Sequence, residues 1–392
     1  MFERAYEIML TKFMVRNYRN FRENICIDFK NIAGYQFSTD CITDNVIGKI
    51  LIYGRNATGK TNLGKAVMNI CATLLTGARY MNDRTFLNVD SVENSAVFFY
   101  EFQFDDKKLI YRYVRLSDTE LQSEELIIDG IAIFKCDFAN KEYNFDNLNY
   151  IDADTVNIER YLQSFESGEA MDCHLGTQLP FLRWMLFNVA LKRGSVLIKL
   201  YSYVEKMIMI KTSDAMMLHP TRMNEAFFES LEEPEELKEL EDFINAMGIA
   251  CKLELRKLPD GQRELYFVHE KLVPFFENAS SGTLALINLY HRVVSRITDA
   301  SFLYLDEFDA FYHYEMAEKV IKFFKRRYPK CQMIMTSHNT NLMTNRLMRP
   351  DCLFILSRAG TLTSLCNATK RELREGHNLE KMYVSGEFEK YE

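Results

Sequence analysis

An α/β fold with a β-rich first lobe and a helical insertion is what the 392-residue sequence predicts, on three observations. A short apolar run, Lys49–Tyr53, leads straight into the glycine loop GRNATGKT and a helical period at Asn62–Thr76. Alternating runs with turn signals at Asp105–Asp106 and Asp129–Gly130 fill Ala96–Cys136, the pattern of an antiparallel meander. From Ser281 to Ser357, helical and strand-like runs take turns.

In chain order, Lys12–Phe29 reads as two strands with Phe13, Val15, Ile25, Ile27 and Phe29 inward. Residues Thr155–Asn245 read as mostly helical, most clearly over Pro180–Lys211 and over Glu232–Asn245, where Pro234 suits a first helical turn. Strands return at Cys251–Leu258 and Arg263–His269 around a PDGQ turn. Then follow a helix from Ser281, a strand at Phe302–Leu305, a helix at Tyr314–Tyr328, a strand at Gln332–Thr336, a helix at Asn341–Leu347 and a strand at Cys352–Ser357. The division expected is a first lobe over 1–150, a helical insertion over 151–248 and a second lobe over 249–392.

Composition is that of an ordinary globular chain, 47% hydrophobic and 26% charged. Charges interrupt every apolar run before it reaches membrane-spanning length, and the first residues lack an export signal, so a cytoplasmic, non-membrane protein is expected. The nine cysteines stand singly, without zinc spacing, and read as reduced thiols. A net charge of −7 excludes a uniformly basic surface. The densest basic run, Lys322–Lys330, reads as an amphipathic helix with Val320, Ile321, Phe323 and Phe324 inward and Lys322, Lys325, Arg326 and Arg327 solvated.

Gly54, Arg55, Asn56, Ala57, Thr58, Gly59, Lys60 and Thr61 match GxxxxGK[ST], with Asn62 opening the helix. Glycines let successive N–H groups wrap a phosphate, Lys60 reaches its outer oxygens, and the Thr61 hydroxyl suits magnesium. Ser301–His313 (SFLYLDEFDAFYH) delivers two carboxylates at the end of a buried strand. Asp306 suits the magnesium shell, and Glu307 suits orientation of an attacking water. Ser280, Ser281, Gly282 and Thr283 begin a helix just upstream. His338 follows the strand that ends at Thr336.

In this order the motifs resemble an ABC-type P-loop ATPase head of the RecF-, chromosome-maintenance- and OLD-like branch. The resemblance implies ATP and Mg2+ as ligands, Glu307 and His338 as catalytic residues, and Ser280–Thr283 as a signature helix covering the ATP bound by a second subunit. It implies a homodimer or higher oligomer. Asp309–His313 looks like the loop crossing that interface, and Arg16–Phe21 like the region near adenine and α-phosphate. Gln103 and the Phe86–Asp90 stretch compete as the glutamine-loop position. Ser281 stands where transporters usually carry glycine, which the RecF-like branch tolerates. The tail Arg371–Phe388 resembles small stand-alone bacterial ATPases of anti-phage defence systems.

The chain lacks the C-terminal Toprim carboxylates of OLD nucleases. Asp152 and Asp154 read as a loop before a helix, and Cys173–His174 has no zinc partner pair. The expectation is therefore an ATPase that acts as sensor or regulatory subunit of a defence system and controls a separate effector, a nuclease. The alternative is a RecF-like DNA-repair clamp that binds DNA directly. A transporter subunit fits the motif variants less well.

Overall fold

The computed structural model describes residues 8–75, 85–171, 178–192, 194–211, 225–294 and 300–392. Two large sheets organise them. The first has seven strands, all antiparallel, in the order Glu142–Asn144, Ile131–Asp137, Leu121–Ile128, Lys107–Arg115, Ala96–Phe104, Ile8–Arg16, Ile25–Asp28. Hairpin turns at Asp105 and Asp129–Gly130 take positive φ, as tight antiparallel connections require. Phe13, Val15, Ile25, Ile27 and Phe29 are all buried, as their alternation predicts.

The second sheet has six strands in the order Met207–Lys211, Phe302–Asp306, Gln332–Ser337, Lys49–Tyr53, Leu353–Leu356, Leu362–Ser364. All neighbours are parallel except the last pair. Lys49–Tyr53, Phe302–Asp306, Gln332–Ser337 and Leu353–Leu356 are buried at every residue, as strands covered on both faces must be. Gln332 joins the two sheets. Its amide accepts from Leu10 N at 2.6 Å and donates to Leu10 O at 2.8 Å, and its oxygen also receives the Tyr203 hydroxyl at 2.7 Å.

Three expectations are corrected. The mostly helical reading of Thr155–Asn245 holds for Ile158–Glu166, Phe181–Asn188, Val196–Glu205 and Pro234–Ala246, but Met207–Lys211 is a strand. It pairs in parallel with Phe302–Asp306, placing Lys211 opposite Asp306. Apolar residues run on through VLIKLYSYVEKMIMIK without a break, and periodicity alone does not separate helix from strand there. Asn341–Leu347 forms only a single tight turn, Thr340–Leu342. The Asn339 side chain caps that turn, and the Asn345 amide is drawn away to the carbonyls of Arg374, Glu375 and His377. Finally, Lys325 is not solvated. It is 6% exposed, with its ammonium 2.9 Å from Asp40 Oδ1 and donating to Leu347 O.

The rest of that basic helix, Tyr314–Arg327, behaves as an amphipathic face: Val320, Ile321 and Phe324 are buried, while Lys322 pairs with Glu318 and Arg327 with Glu239. A small three-stranded sheet, Leu253–Lys257, Arg263–Val268 and Leu272–Pro274, precedes the helix Ser281–Leu289. No helix among the described residues is long and apolar enough to cross a membrane.

Candidate nucleotide-binding site

The loop between Tyr53 and Lys60 curls because Ala57 and Gly59 adopt positive φ, 65° and 101°. Gly59 has a second constraint: a Cβ there would lie 2.2 Å from the Asn20 amide. Asn20 donates to Thr58 O at 3.1 Å and accepts from Asn62 at 2.8 Å, so it staples the glycine loop to the first helical turn. In the sequence Asn20 stands out only as part of Arg16–Phe21. Its only signal was that segment, because the contact crosses about forty residues of chain.

Lys60 is 3% exposed and its ammonium is held inside the loop, 2.8 Å from Gly54 O, 3.2 Å from Arg55 O and 3.3 Å from Glu307 Oε1. The helix Lys60–Val67 is seated from below, since the Tyr304 hydroxyl donates to Lys60 O at 2.6 Å. Gly64 allows that approach: a Cβ would sit 2.5 Å from the Tyr304 ring. Arg55, Asn56 and Ala57 are exposed at the loop tip, and Arg55 turns outward to pair with Glu392.

At the end of Phe302–Asp306, one strand removed from Lys49–Tyr53 across Gln332–Ser337, Asp306 is buried and receives the Thr61 hydroxyl at 2.6 Å and the Thr336 hydroxyl at 2.9 Å. Burial raises its proton affinity, and the two hydroxyls oppose that rise. A buried acid beside the Thr61 hydroxyl is a donor set that fits a hard divalent cation. Glu307 follows with φ 48°, its N–H bonded to Thr336 Oγ1 at 2.8 Å, and its carboxylate reaches back to Lys60. The structure thus brings together Lys60, Thr61, Asp306 and Glu307 within one chain.

Of the other expected positions, His338 follows directly on Ser337, whose carbonyl accepts from Gly54 N at 3.2 Å. His338 is exposed on the loop beyond Gln332–Ser337. Ser280 caps its helix through Thr283 N at 3.1 Å; Ser280 and Ser281 are exposed, whereas Gly282 and Thr283 are buried. A Cβ on Gly282 would meet Phe311 O at 2.9 Å, so Asp309–His313 packs against this helix start. Of the two competing glutamine-loop positions, Gln103 spends its amide on its own hairpin, bonding Asp105 O and Lys107 O. The other lies by the glycine loop: Phe86 O accepts from Arg19 N, and the Asn88 amide donates to Arg19 O at 2.6 Å. Asp152 pairs with Lys192 at 2.8 Å, as a loop acid would. Cys173 and His174 lie outside the described residues. Among the described residues no group of acids, histidines and cysteines forms a further metal cluster.

A parallel sheet that ends in a glycine loop on one strand and an acid pair on the next but one defines a P-loop nucleotide-binding protein. Residues 50–344 match the family described as AAA domain, putative AbiEii toxin, Type IV TA system, and the chain belongs to that family. It is thereby an ATPase-family protein, and the membership bears out the branch that the motifs resemble. Solved structures similar to it include the SMC head domain from Thermotoga maritima, at 13% identity and TM-score 0.41, covering 91% of this chain and 98% of that one. An Smc head with a coiled coil and joint from Pyrococcus yayanosii gives 12% identity and TM-score 0.46, covering 92% and 98%. The Smc head from Pyrococcus furiosus bound to the C-terminal domain of ScpA gives 13% and 0.43, covering 97% and 100%. No curated protein matches the sequence.

Proposed function

We propose that the chain binds and hydrolyses ATP at this site, dimerises around two ATP molecules, and serves as the sensor or regulatory subunit of a bacterial anti-phage defence system. The observation that carries the reading is the Lys60–Glu307 pair at 3.3 Å, beside Thr61 bonded to Asp306 at 2.6 Å. Lys60 and the loop N–H groups would hold the β- and γ-phosphates, and Thr61 and Asp306 would hold Mg2+. The cation supplies positive charge to the phosphate oxygens. Glu307 would orient water, with its carboxylate released from Lys60 once phosphate takes the ammonium. His338 would meet the γ-phosphate from the adjoining strand.

Exposed Ser280 and Ser281 at a helix N-terminus favour the shared-site dimer, because free N–H groups there suit the phosphate of a second copy. The family description, with its toxin–antitoxin system, favours a role in defence; the separate nuclease effector and the cytoplasmic setting are part of the proposal. The insertion at 151–248 carries none of the proposed catalytic residues, and the effector or a second copy would dock there.

Glu307→Gln tests this. ATP binding should persist while turnover falls by about 10²–10⁴-fold, because the amide keeps shape but cannot take a proton. An ATP-dependent dimer should then accumulate by mass measurement, and adding Ser281→Arg should prevent it. Turnover at the wild-type rate in Glu307→Gln would overturn the assignment.

A further inference from the structure

We propose that Asp309 is a positioning residue that fixes the loop carrying His338, acting through Ser337. The inference deepens the reading above and rests on it. Asp309 is 5% exposed, two residues beyond Glu307. The Ser337 hydroxyl donates to Asp309 Oδ2 at 2.7 Å and accepts from Asn339 N at 2.8 Å. Its hydrogen and a lone pair are both committed, and those two bonds bracket His338 on either side. Asn339 passes the constraint on, its side chain accepting from Asn341 N at 3.1 Å to close the turn Thr340–Leu342.

One residue earlier the same device serves the other catalytic candidate. The Thr336 hydroxyl donates to Asp306 Oδ1 and accepts from Glu307 N. Consecutive hydroxyls, Thr336 and Ser337, thus tie Asp306 and Asp309, at and just past the end of the neighbouring strand, to the backbone beside Glu307 and beside His338. Asp309 itself is kept in place by short turns, with Ala310 N bonded to Glu307 O at 3.1 Å and Tyr312 N to Asp309 O at 3.0 Å. Fold stability does not account for an acid here. Its Oδ1 is buried without a hydrogen-bond partner among the described atoms, and a carboxylate desolvated that way costs free energy. What the position gains is a fixed acceptor for Ser337.

The test is steady-state ATP hydrolysis and ATP titration on the full chain with Asp309→Ala, Asp309→Asn, Ser337→Ala and His338→Ala, and with Asp309→Ala combined with His338→Ala. A misdirected loop costs rate rather than binding, so Asp309→Ala and Ser337→Ala should each lower kcat about tenfold and leave ATP Kd within about twofold. Asp309→Asn, which keeps an acceptor for Ser337, should restore most of kcat. On the His338→Ala background Asp309→Ala should have no further effect, since the two act as one unit. Should Asp309→Ala fail to fold, Ser337→Ala carries the same comparison. Wild-type kcat in Ser337→Ala, or an equal fall with and without His338, would overturn the proposal while leaving the ATPase reading standing. Absence of turnover in the wild-type chain would overturn both.

Discussion

The two large sheets use polar residues in opposite ways. In the parallel sheet the strand interiors are apolar runs, and the chemistry-bearing groups sit where strands stop: Asp306, Glu307, Thr336 and Ser337. In the antiparallel sheet the polar groups lie within the strands and are buried: Tyr100, Tyr111, Tyr113, Arg115 and Glu124. They tie elements together. The Tyr100 hydroxyl donates to Ala66 O at 2.9 Å and the Tyr113 hydroxyl to Asn69 Oδ1 at 2.7 Å, anchoring the helices that follow the glycine loop. Across the same sheet Tyr111 donates to Glu124 at 2.8 Å, and Glu124 accepts from Phe181 N and Leu182 N at the start of the helix Phe181–Asn188. A parallel sheet exposes its strand ends as one edge where ligands can sit, whereas the buried face of this meander offers its polar groups only each other and the elements packed on it. One sheet is therefore built for chemistry and the other for attachment.

The sharpest way to break that division is Lys60→Ala. It removes at least two charge-assisted contacts to phosphate, each worth about 1.5–3 kcal/mol, so ATP Kd should rise by about 100-fold or more. Urea unfolding of the nucleotide-free protein should change little. Retention of ATP affinity in a calorimetric titration would show that the glycine loop is not the phosphate site.

The same contrast explains what could be read from sequence. Lys49–Thr61 and Phe302–Glu307 were legible because strand, loop and chemistry are contiguous there. The antiparallel meander was legible from its alternation. Met207–Lys211 was not, since an apolar strand after an apolar helix carries no change of period. Asn20 and the Ser337–Asp309 bond were hidden because their partners are distant in sequence, 38 and 28 residues away. Lys325 was misread because helical spacing places it at the edge of the wet face, and only the chain around Asp40 and Leu347 covers it.

Glu124 sharpens the comparison from the attachment side. Burial pushes its carboxyl up to about 7, against the opposing pull of its bonds from Leu182 N, Tyr111 and Phe181 N. A folded-state value above the ordinary carboxyl range means that the folded protein holds this proton longer than the unfolded chain. The resulting stability is full below that ordinary range and is lost as pH rises through about 7. The change over that window is at most about 3 kcal/mol. Chemical denaturation at pH 4.5 and pH 8 should show it in the wild type and show it flattened in Glu124→Gln. An unchanged pH dependence would mean that Glu124 stays ionised and that the helix start at Phe181 rests on a charge.

The smallest effect expected is from Tyr113→Phe. The ring keeps its stack on Phe98, with centroids 5.1 Å apart and planes at 18°, so packing is preserved and only the hydroxyl is lost. Among the described residues Asn69 Oδ1 then keeps the Thr73 hydroxyl, at 3.5 Å, and a partly unmet buried acceptor costs about 1 kcal/mol. Denaturant midpoints should fall accordingly with an unchanged slope. ATP affinity should stay within about twofold, because Asn69 sits on the far side of the helix break at Met68 from Lys60 and Thr61. A larger loss of affinity, with stability barely moved, would mean that the meander acts on the nucleotide site through Asn69. The antiparallel sheet would then belong to the machinery that senses the nucleotide rather than to the frame that holds it.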